Sequence, residues 1–311
     1  MERGTMRVAR GLAFLAAGLL IASTQPLLAQ GSTPLKWEVP DGVKTVEVNG
    51  YPMAYHEAGT GTPVILIHGA WVDFRLFAPQ VEALAKTNRA IAVSVRHHFP
   101  EPWDGKGGAY TVQQQAADVV AFIKALGLGK VHLLGHSRGG GVAFNAAVQA
   151  PDAIRTLILE EPSGLETLVD ASTAERSVGN WAKLAGFVRA KLDEGDRHTA
   201  AQKSWNVVFG PGTFEAMQAG VQQMIADNLG TMSVPYSVAQ LTCDDVRKLS
   251  FPVLILHGET SPASYRTMSK ALQACKPDIP NPVIVPKAGH NMHVDNASFF
   301  NQAVLQFVQS H

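Results

Sequence analysis

The sequence predicts an α/β protein whose mostly parallel sheet is covered by helices on both faces. Residues 64–67, 131–134 and 253–256 form continuous apolar runs, as expected for strands that are buried on both faces. Helical patterns at residues 111–126 and 138–150 lie between these runs. Strands that alternate with helices in this way form parallel sheets, and such sheets bind ligands at the carboxyl ends of their strands.

The remaining short elements fit the same architecture. Residues 36–39, 45–48 and 51–56 are extended runs, and a turn at Asn49-Gly50 separates the last two, which predicts an antiparallel hairpin at one edge of the sheet. Other predicted elements are strands at 90–95, 154–159 and 283–285, and helices at 77–85 and 297–308.

A long segment between two predicted strands has helical periodicity and no convincing strand. It spans residues 163–248, and connections between parallel strands are normally much shorter. We therefore expect a helical cap, inserted after the sixth strand into a core of residues 30–162 and 249–311. Six large apolar residues of this segment could line a pocket or simply pack its helices together: Trp181, Trp205, Phe209, Met217, Met224 and Met232.

The first 29 residues have the pattern of a secretory signal peptide. Arg3, Arg7 and Arg10 precede an apolar run at residues 11–22, and a small-residue cleavage site ends at Ala29. The run is short for a membrane span, although an uncleaved anchor is the alternative. We expect an exported protein, periplasmic or extracellular, without stable membrane insertion after cleavage.

The charge balance of the chain restricts which macromolecules it is expected to bind. The 311 residues include 26 Lys and Arg and 26 Asp and Glu, and no basic run occurs. Nucleic acid is therefore not an expected partner.

Cys243 and Cys275 could form a disulfide in an exported protein, but two separate buried thiols are the alternative.

The segment Gly135-His136-Ser137-Arg138-Gly139 joins a predicted strand to a predicted helix. A serine at the apex of such a turn is the arrangement of a nucleophile elbow, in which the glycines avoid clashes with neighbouring backbone. The following helix directs its N–H groups to the place where an oxyanion would form. Ser137 is thus predicted to attack an acyl carbon; the alternative is a glycine-rich turn of another α/β protein.

Three motifs in the expected order resemble the α/β-hydrolase superfamily over nearly all of the chain after the signal peptide. They are His68-Gly69-Ala70-Trp71, the elbow around Ser137, and Ala288-Gly289-His290. The resemblance implies the fold of that family, hydrolytic activity and no cofactor. It also implies that the backbone N–H groups of Ala70 and Arg138 form the oxyanion hole, with Trp71 as a further donor or a pocket wall.

A serine nucleophile needs an imidazole to take its proton and a carboxylate to orient that imidazole. His290 is the predicted base, and His293 is its rival. Many relatives carry the acid three residues after the glycine that ends the seventh strand, where this chain has Ser261. Glu161, at the end of the preceding strand, is therefore the predicted acid. The alternatives are Glu259, Asp244, Asp245 and Glu160.

Arg96-His97-His98 departs from the pattern of many relatives. Adjacent histidines diverge and no third ligand has a recognised spacing, so a metal site is not expected. We expect this segment to pack in a loop or to form the outer rim of the pocket. Trp71, His98 and Trp205 are the candidate pocket residues.

These observations predict a serine hydrolase that cleaves a small carboxylic ester or lactone through an acyl-enzyme. Ser137 argues against the haloalkane dehalogenases and epoxide hydrolases of the superfamily, because those enzymes use a carboxylate nucleophile. Carbon–carbon bond hydrolysis and cofactor-free perhydrolysis remain alternatives on the same three residues. A catalytically silent binding protein is the alternative from another class.

Overall fold

The computed structural model describes residues 41–311, which contain an eight-stranded sheet. The strand order is β1-β2-β4-β3-β5-β6-β7-β8, and β2 is antiparallel to both of its neighbours whereas the other pairs are parallel. The strands are β1 (Lys44–Val48), β2 (Tyr51–Ala58), β3 (Pro63–Ile67), β4 (Arg89–Val93), β5 (Val131–His136), β6 (Ile154–Glu160), β7 (Val253–Gly258) and β8 (Val283–Val285).

Helices connect the strands and confirm the predicted α/β class. Thr111 begins the second of them by accepting a hydrogen bond from the N–H of Gln114, which satisfies a donor of the first turn. The helices are α1 (Ala78–Leu84), α2 (Val112–Ala125), α3 (Arg138–Gln149), α4 (Ala171–Asp193), α5 (Arg197–Phe209), α6 (Ala219–Asp227), α7 (Cys243–Arg247), α8 (Arg266–Cys275), α9 (Met292–Asp295) and α10 (Ala297–Gln309).

The sheet separates two hydrophobic clusters, one on each face. In β3, Ile65 and Ile67 belong to one cluster and Val64 and Leu66 to the other, as the alternation of side chains along a strand requires. All four are fully buried. This double burial explains why the central strands appear in the sequence as continuous apolar runs rather than alternating ones.

The predicted hairpin is present at one edge of the sheet. Strands β1 and β2 pair around Asn49 and Gly50, which have φ angles of 50° and 71°, as a tight two-residue hairpin turn needs. The predicted run at residues 36–39 and the predicted signal peptide lie outside the described residues. Within residues 41–311, no helix is both long and apolar enough to cross a membrane.

The segment between β6 and β7 is helical, as its periodicity predicts. It holds α4, α5, α6 and α7, and within the described chain this segment contains no strand. The described residues nevertheless belong to one compact unit. One hydrogen bond between this segment and the core runs from Nη2 of Arg197 to the carbonyl of Trp103, at 2.8 Å. The boundaries of a separate cap at residues 163 and 248 stay a prediction.

The structure joins Cys243 and Cys275 in a disulfide, with their Cα atoms 4.9 Å apart. The bond links the start of α7 to the end of α8, at opposite ends of a 32-residue separation in the chain. Of the two alternatives left open by the sequence, the disulfide is therefore the one formed.

Reduction of this disulfide is expected to lower the free energy of unfolding by about 3–4 kcal/mol, because the unfolded chain regains the entropy that the closed loop removes. Urea unfolding with and without reductant measures the difference. The double variant Cys243→Ser, Cys275→Ser is the control and should be insensitive to reductant. Two free thiols in denatured, unreduced protein would contradict the pairing.

Candidate active site

Ser137 lies between the last residue of β5 and the first residue of α3, with φ 50° and ψ −121°. This is a strained conformation for a residue with a side chain, and it persists only where the surroundings hold it. Here the N–H of Ser137 donates to the carbonyl of Glu160 at 2.9 Å, and the carbonyl of Ser137 accepts from the N–H groups of Gly140 and Ser163. The strained turn is therefore held from both sides.

The glycines around Ser137 are required by close backbone contacts. A Cβ atom at Gly135 would lie 2.3 Å from the carbonyl oxygen of Gly139, and one at Gly139 would lie 2.3 Å from the carbonyl oxygen of His68. A Cβ atom at Gly69 would lie 3.1 Å from that of Ser137. The turn after β3 thus lies directly against the turn after β5.

These two turns meet at the topological switch point of the sheet. The chain passes from β3 outward to β4 and then returns to β5 on the other side of β3, which opens a crevice at their carboxyl ends. The predicted oxyanion donors come from the two sides of this crevice. Ala70 follows the turn after β3, and Arg138 is the first residue of α3.

His290 is paired with Glu161. Its Nδ1 donates to Glu161 Oε2 at 2.7 Å, and the other carboxylate oxygen accepts from the N–H of Gly258 at 2.9 Å. A carboxylate only accepts hydrogen bonds, so Nδ1 carries the proton and Nε2 is the atom that can accept one. The ring of Tyr265 stacks on that of His290 with centroids 4.0 Å apart and limits its rotation.

Glu161 is fully buried and has a positive φ of 39°. Burial alone would raise the pKa of its carboxyl group, but the side chains of His257, His290 and Ser261 around it outweigh burial and hold that pKa well below its usual range. Glu161 is therefore ionised at neutral pH. Ser261, which occupies the usual position of the acid, lies beside the carboxylate that replaces it.

The other candidate acids are engaged elsewhere. Glu259 is exposed and accepts a hydrogen bond from the N–H of Lys287 at 2.8 Å. Asp244 bonds Arg247, and Asp245 caps α7 through the N–H of Thr242. Among the candidates, Glu161 is the one that the structure brings to His290.

A second carboxylate–imidazole pair is formed by the adjacent residue Glu160 and by His293. Glu160 Oε1 is 2.6 Å from Nδ1 of His293, and both side chains are fully buried. Burial raises the pKa of Glu160 to about 7 and lowers that of His293. His136, also buried, donates from Nε2 to the carbonyl of His290 at 3.0 Å. His293 is thus a partner of Glu160, not a base at Ser137.

The sequence named Glu160 and His293 separately but did not reveal that they form a pair. With His136, they are the group in the described chain whose side chains could hold a metal, with ligand atoms within 4.8 Å of one another. Glu160 Oε1 contacts His293 Nδ1, and His136 Nε2 bonds the carbonyl of His290. Glu160 Oε2, His293 Nε2 and His136 Nδ1 are buried without hydrogen-bond partners.

Two of the predicted pocket residues contact each other, and the third does not join them. The rings of Trp71 and Trp205 are 5.5 Å apart in an edge-to-face arrangement, so α5 packs on the turn after β3. His98 instead packs on His68, with ring centroids 4.5 Å apart, and is 1% exposed. Of the two interpretations of this segment, packing within the loop fits the burial of His98, whereas an exposed outer rim does not; its role as a pocket residue stays a prediction.

The fold and this site define an α/β hydrolase. Residues 64–303 match the model of the "Alpha/beta hydrolase family", and the chain belongs to that family. It is 26% identical over 280 residues to the mouse protein "Serine hydrolase BPHL", covering 85% of each chain.

Two further relatives represent different reactions. A 2-hydroxy-6-oxo-2,4-heptadienoate hydrolase of Pseudomonas putida is 27% identical over 227 residues, which cover 69% of this chain and 78% of that one. A thermophilic esterase from Thermogutta terrifontis superposes with a TM-score of 0.61 at 23% identity, covering 86% of this chain and 97% of the other. The second likeness shows the fold alone.

Proposed function

We propose that this hydrolase cleaves carboxylic esters or lactones of small molecules through Ser137, His290 and Glu161. The observation that carries the proposal is the 2.7 Å contact between His290 Nδ1 and the buried carboxylate of Glu161. It leaves Nε2 of the same ring to serve a nucleophile, and Ser137 occupies the strained turn at the neighbouring strand end.

The reaction follows from these positions. Ser137 Oγ attacks the acyl carbon while His290 takes its proton, and the ionised Glu161 stabilises the resulting imidazolium. The backbone N–H groups of Ala70 and Arg138 stabilise the oxyanion. His290 then protonates the leaving alcohol, and water, activated by the same imidazole, releases the acid from the acyl-enzyme.

No hydrogen bond from Ser137 Oγ to His290 is among those of the described residues, whereas the bond from His290 to Glu161 is already formed. Catalytic hydrogen bonds of this kind often tighten only when substrate binds. The proposal therefore requires Ser137 Oγ and His290 Nε2 to come within hydrogen-bonding distance when substrate binds, while the contact of His290 with Glu161 is kept.

A second candidate is hydrolysis of a carbon–carbon bond. It is favoured by the relative from Pseudomonas putida, whose name describes a hydrolase of a heptadienoate. The same three side chains would serve that reaction, with His290 delivering a proton to carbon rather than to oxygen.

We also propose that the protein is exported. The predicted signal peptide at residues 1–29 supports this location, and the disulfide between Cys243 and Cys275 is of a kind that persists in oxidising compartments. Fractionation of cells that express the full chain, followed by N-terminal sequencing, tests it. A protein retained in the cytoplasm with its first residues intact would contradict the proposal.

The experiment that tests the function is hydrolysis of p-nitrophenyl acetate, butyrate and octanoate by the purified protein. We expect turnover above the uncatalysed rate with at least one ester and trapping of the acyl group on Ser137, visible by mass spectrometry. 2-Hydroxy-6-oxo-2,4-heptadienoate, followed by its absorbance, tests the second candidate in parallel. Turnover of this dienoate alone would replace the ester assignment with the second candidate.

A further inference from the structure

The side chain of Arg138 carries a buried positive charge that lacks a counter-ion. Arg138 is 4% exposed, and no carboxylate in the described chain lies within 4.0 Å of its guanidinium. Its Nη1 donates to the side-chain oxygen of Gln115, and its Cζ lies 4.3 Å from the ring centroid of Tyr110. Its Nη2 is buried without a hydrogen-bond partner.

Another buried arginine of the same protein shows how unusual this is. Arg75 is 5% exposed, and its Nη2 contacts Asp73 at 2.6 Å and Asp227 at 2.8 Å. A buried guanidinium stays protonated, so its desolvation is costly unless an anion faces it. Arg138 also begins α3, where the positive end of the helix dipole makes a cation less favourable still.

The polar groups around Arg138 offer donors to an incoming anion. The hydroxyl oxygens of Tyr110 and Ser163 are also buried without partners. Ser163 lies beside the nucleophile, since its N–H donates to the carbonyl of Ser137 at 2.9 Å. These two hydroxyls and the free Nη2 are three unsatisfied hydrogen-bonding groups. Arg138 directly follows Ser137 in the chain, and Tyr110 contacts its guanidinium.

The neighbouring titratable groups do not neutralise this charge. Burial lowers the pKa of His68 to about 4 and holds that of His98 well below its usual range, so both rings are neutral at neutral pH. Glu166 is the nearby acid. Its Oε1 accepts from the hydroxyls of Tyr236 and Ser177, its Oε2 is buried without a hydrogen-bond partner, and it makes no ion pair with Arg138. The guanidinium of Arg138 is therefore not paired directly with any of these groups.

We propose that Arg138 binds a carboxylate carried by the substrate, so that the preferred ester or lactone has a free carboxylate close to its scissile bond. The inference rests on the proposed function and narrows its substrate class. The guanidinium would hold the carboxylate with Nη2, and the hydroxyls of Tyr110 and Ser163 would complete its hydrogen bonds. Binding would then supply the counter-ion that the folded chain lacks.

The test is calorimetric titration of the non-hydrolysing variant Ser137→Ala with monomethyl glutarate and with its neutral counterpart, dimethyl glutarate. We expect the anionic ester to bind roughly 10- to 100-fold more tightly, as hydrogen bonds to a charged partner predict. Adding Arg138→Gln should abolish this preference, and adding Arg138→Lys should retain part of it, because the charge remains without the planar fork. Arg155→Gln removes one exposed positive charge elsewhere and should leave the preference intact.

Several outcomes would overturn the proposal. One is equal affinity for the two glutarate esters, and another is a preference that survives Arg138→Gln in protein whose thermal unfolding is unchanged. If Arg138→Gln does not fold, a reduced preference in Arg138→Lys with Arg155→Gln unaffected supports the proposal, and a preference that is fully retained in Arg138→Lys opposes it. Acetate binding as tightly as the monoester would assign the site to a free anion and overturn the assignment to substrate.

These measurements separate the inference from the proposed function. Binding to the Ser137→Ala variant needs no turnover, so an Arg138-dependent preference can be observed even if no ester is hydrolysed. In that case the proposal of ester hydrolysis is contradicted, whereas the proposal that Arg138 binds a carboxylate is supported. Conversely, ester hydrolysis without any preference for the anionic ester would support the proposed function and contradict the proposed carboxylate site.

Discussion

Replacement of Ser137 by alanine is expected to reduce ester turnover by about 10⁶-fold, as loss of the nucleophile does in other serine hydrolases. The change removes only the oxygen that attacks the acyl carbon. The proposed oxyanion donors, the N–H groups of Ala70 and Arg138, are backbone groups and remain, so we expect any residual activity to come from them and from substrate binding. Steady-state rates with p-nitrophenyl butyrate, compared with the uncatalysed reaction, measure the loss.

A matched control is Ser269→Ala, which removes the hydroxyl of a buried serine in α8. It should leave turnover unchanged. His290→Ala should behave like Ser137→Ala, because the two groups act as a unit and their losses do not add. Thermal unfolding establishes that the variants remain folded. A folded Ser137→Ala protein with more than a small fraction of the original activity would rule out the proposed nucleophile.

Glu161→Gln is expected to slow turnover by about 10⁴-fold, the loss seen when the acid of a comparable triad becomes an amide. A glutamine can present a donor to His290 Nδ1, which favours the wrong tautomer, and it has no charge to stabilise the imidazolium. Because the pKa of Glu161 lies well below its usual range, this carboxyl group is ionised throughout the neutral range. The carboxyl group of Glu161 should therefore contribute no titration of its own to the pH profile of kcat in that range.

Glu259→Gln is the control for this prediction. Glu259 carries the same side chain one residue beyond β7, but it is exposed and bonds the backbone of Lys287. Its replacement should leave kcat close to that of the original protein. A loss of kcat in Glu259→Gln with normal activity in Glu161→Gln would reverse the assignment of the acid.

Much of the site could be predicted because its parts are local in the chain. The elbow at Ser137 needs only a strand, glycines and a helix in succession, and these lie within about a dozen consecutive residues. The strands around it were visible as apolar runs because both faces of the sheet are covered. His290 could also be predicted from the sequence, because it is a histidine in the loop after the last strand.

The sequence favours Glu161 over Glu160, but only the tertiary structure shows which histidine each carboxylate contacts. The two carboxylates are adjacent in the chain, and both leave the end of β6. Glu160 shares a face of the sheet with Ile158 and reaches His293, whereas Glu161, with its positive φ, reaches His290. Which histidine each one meets depends on how the loop after β8 folds back over β6, and that contact spans about 130 positions of chain.

The distinction between local sequence patterns and long-range contacts also explains which other features could be predicted. Apolar runs and helical periodicity in the sequence determined the α/β class, the central strands and the helical segment after β6, and a short local motif placed Ser137 at a strand–helix turn. All of these depend on local spacing and on burial. The tertiary structure decided the partner of His290, the burial of His98 and the missing counter-ion of Arg138. Each of these is a distance between elements far apart in sequence, and only packing sets such distances.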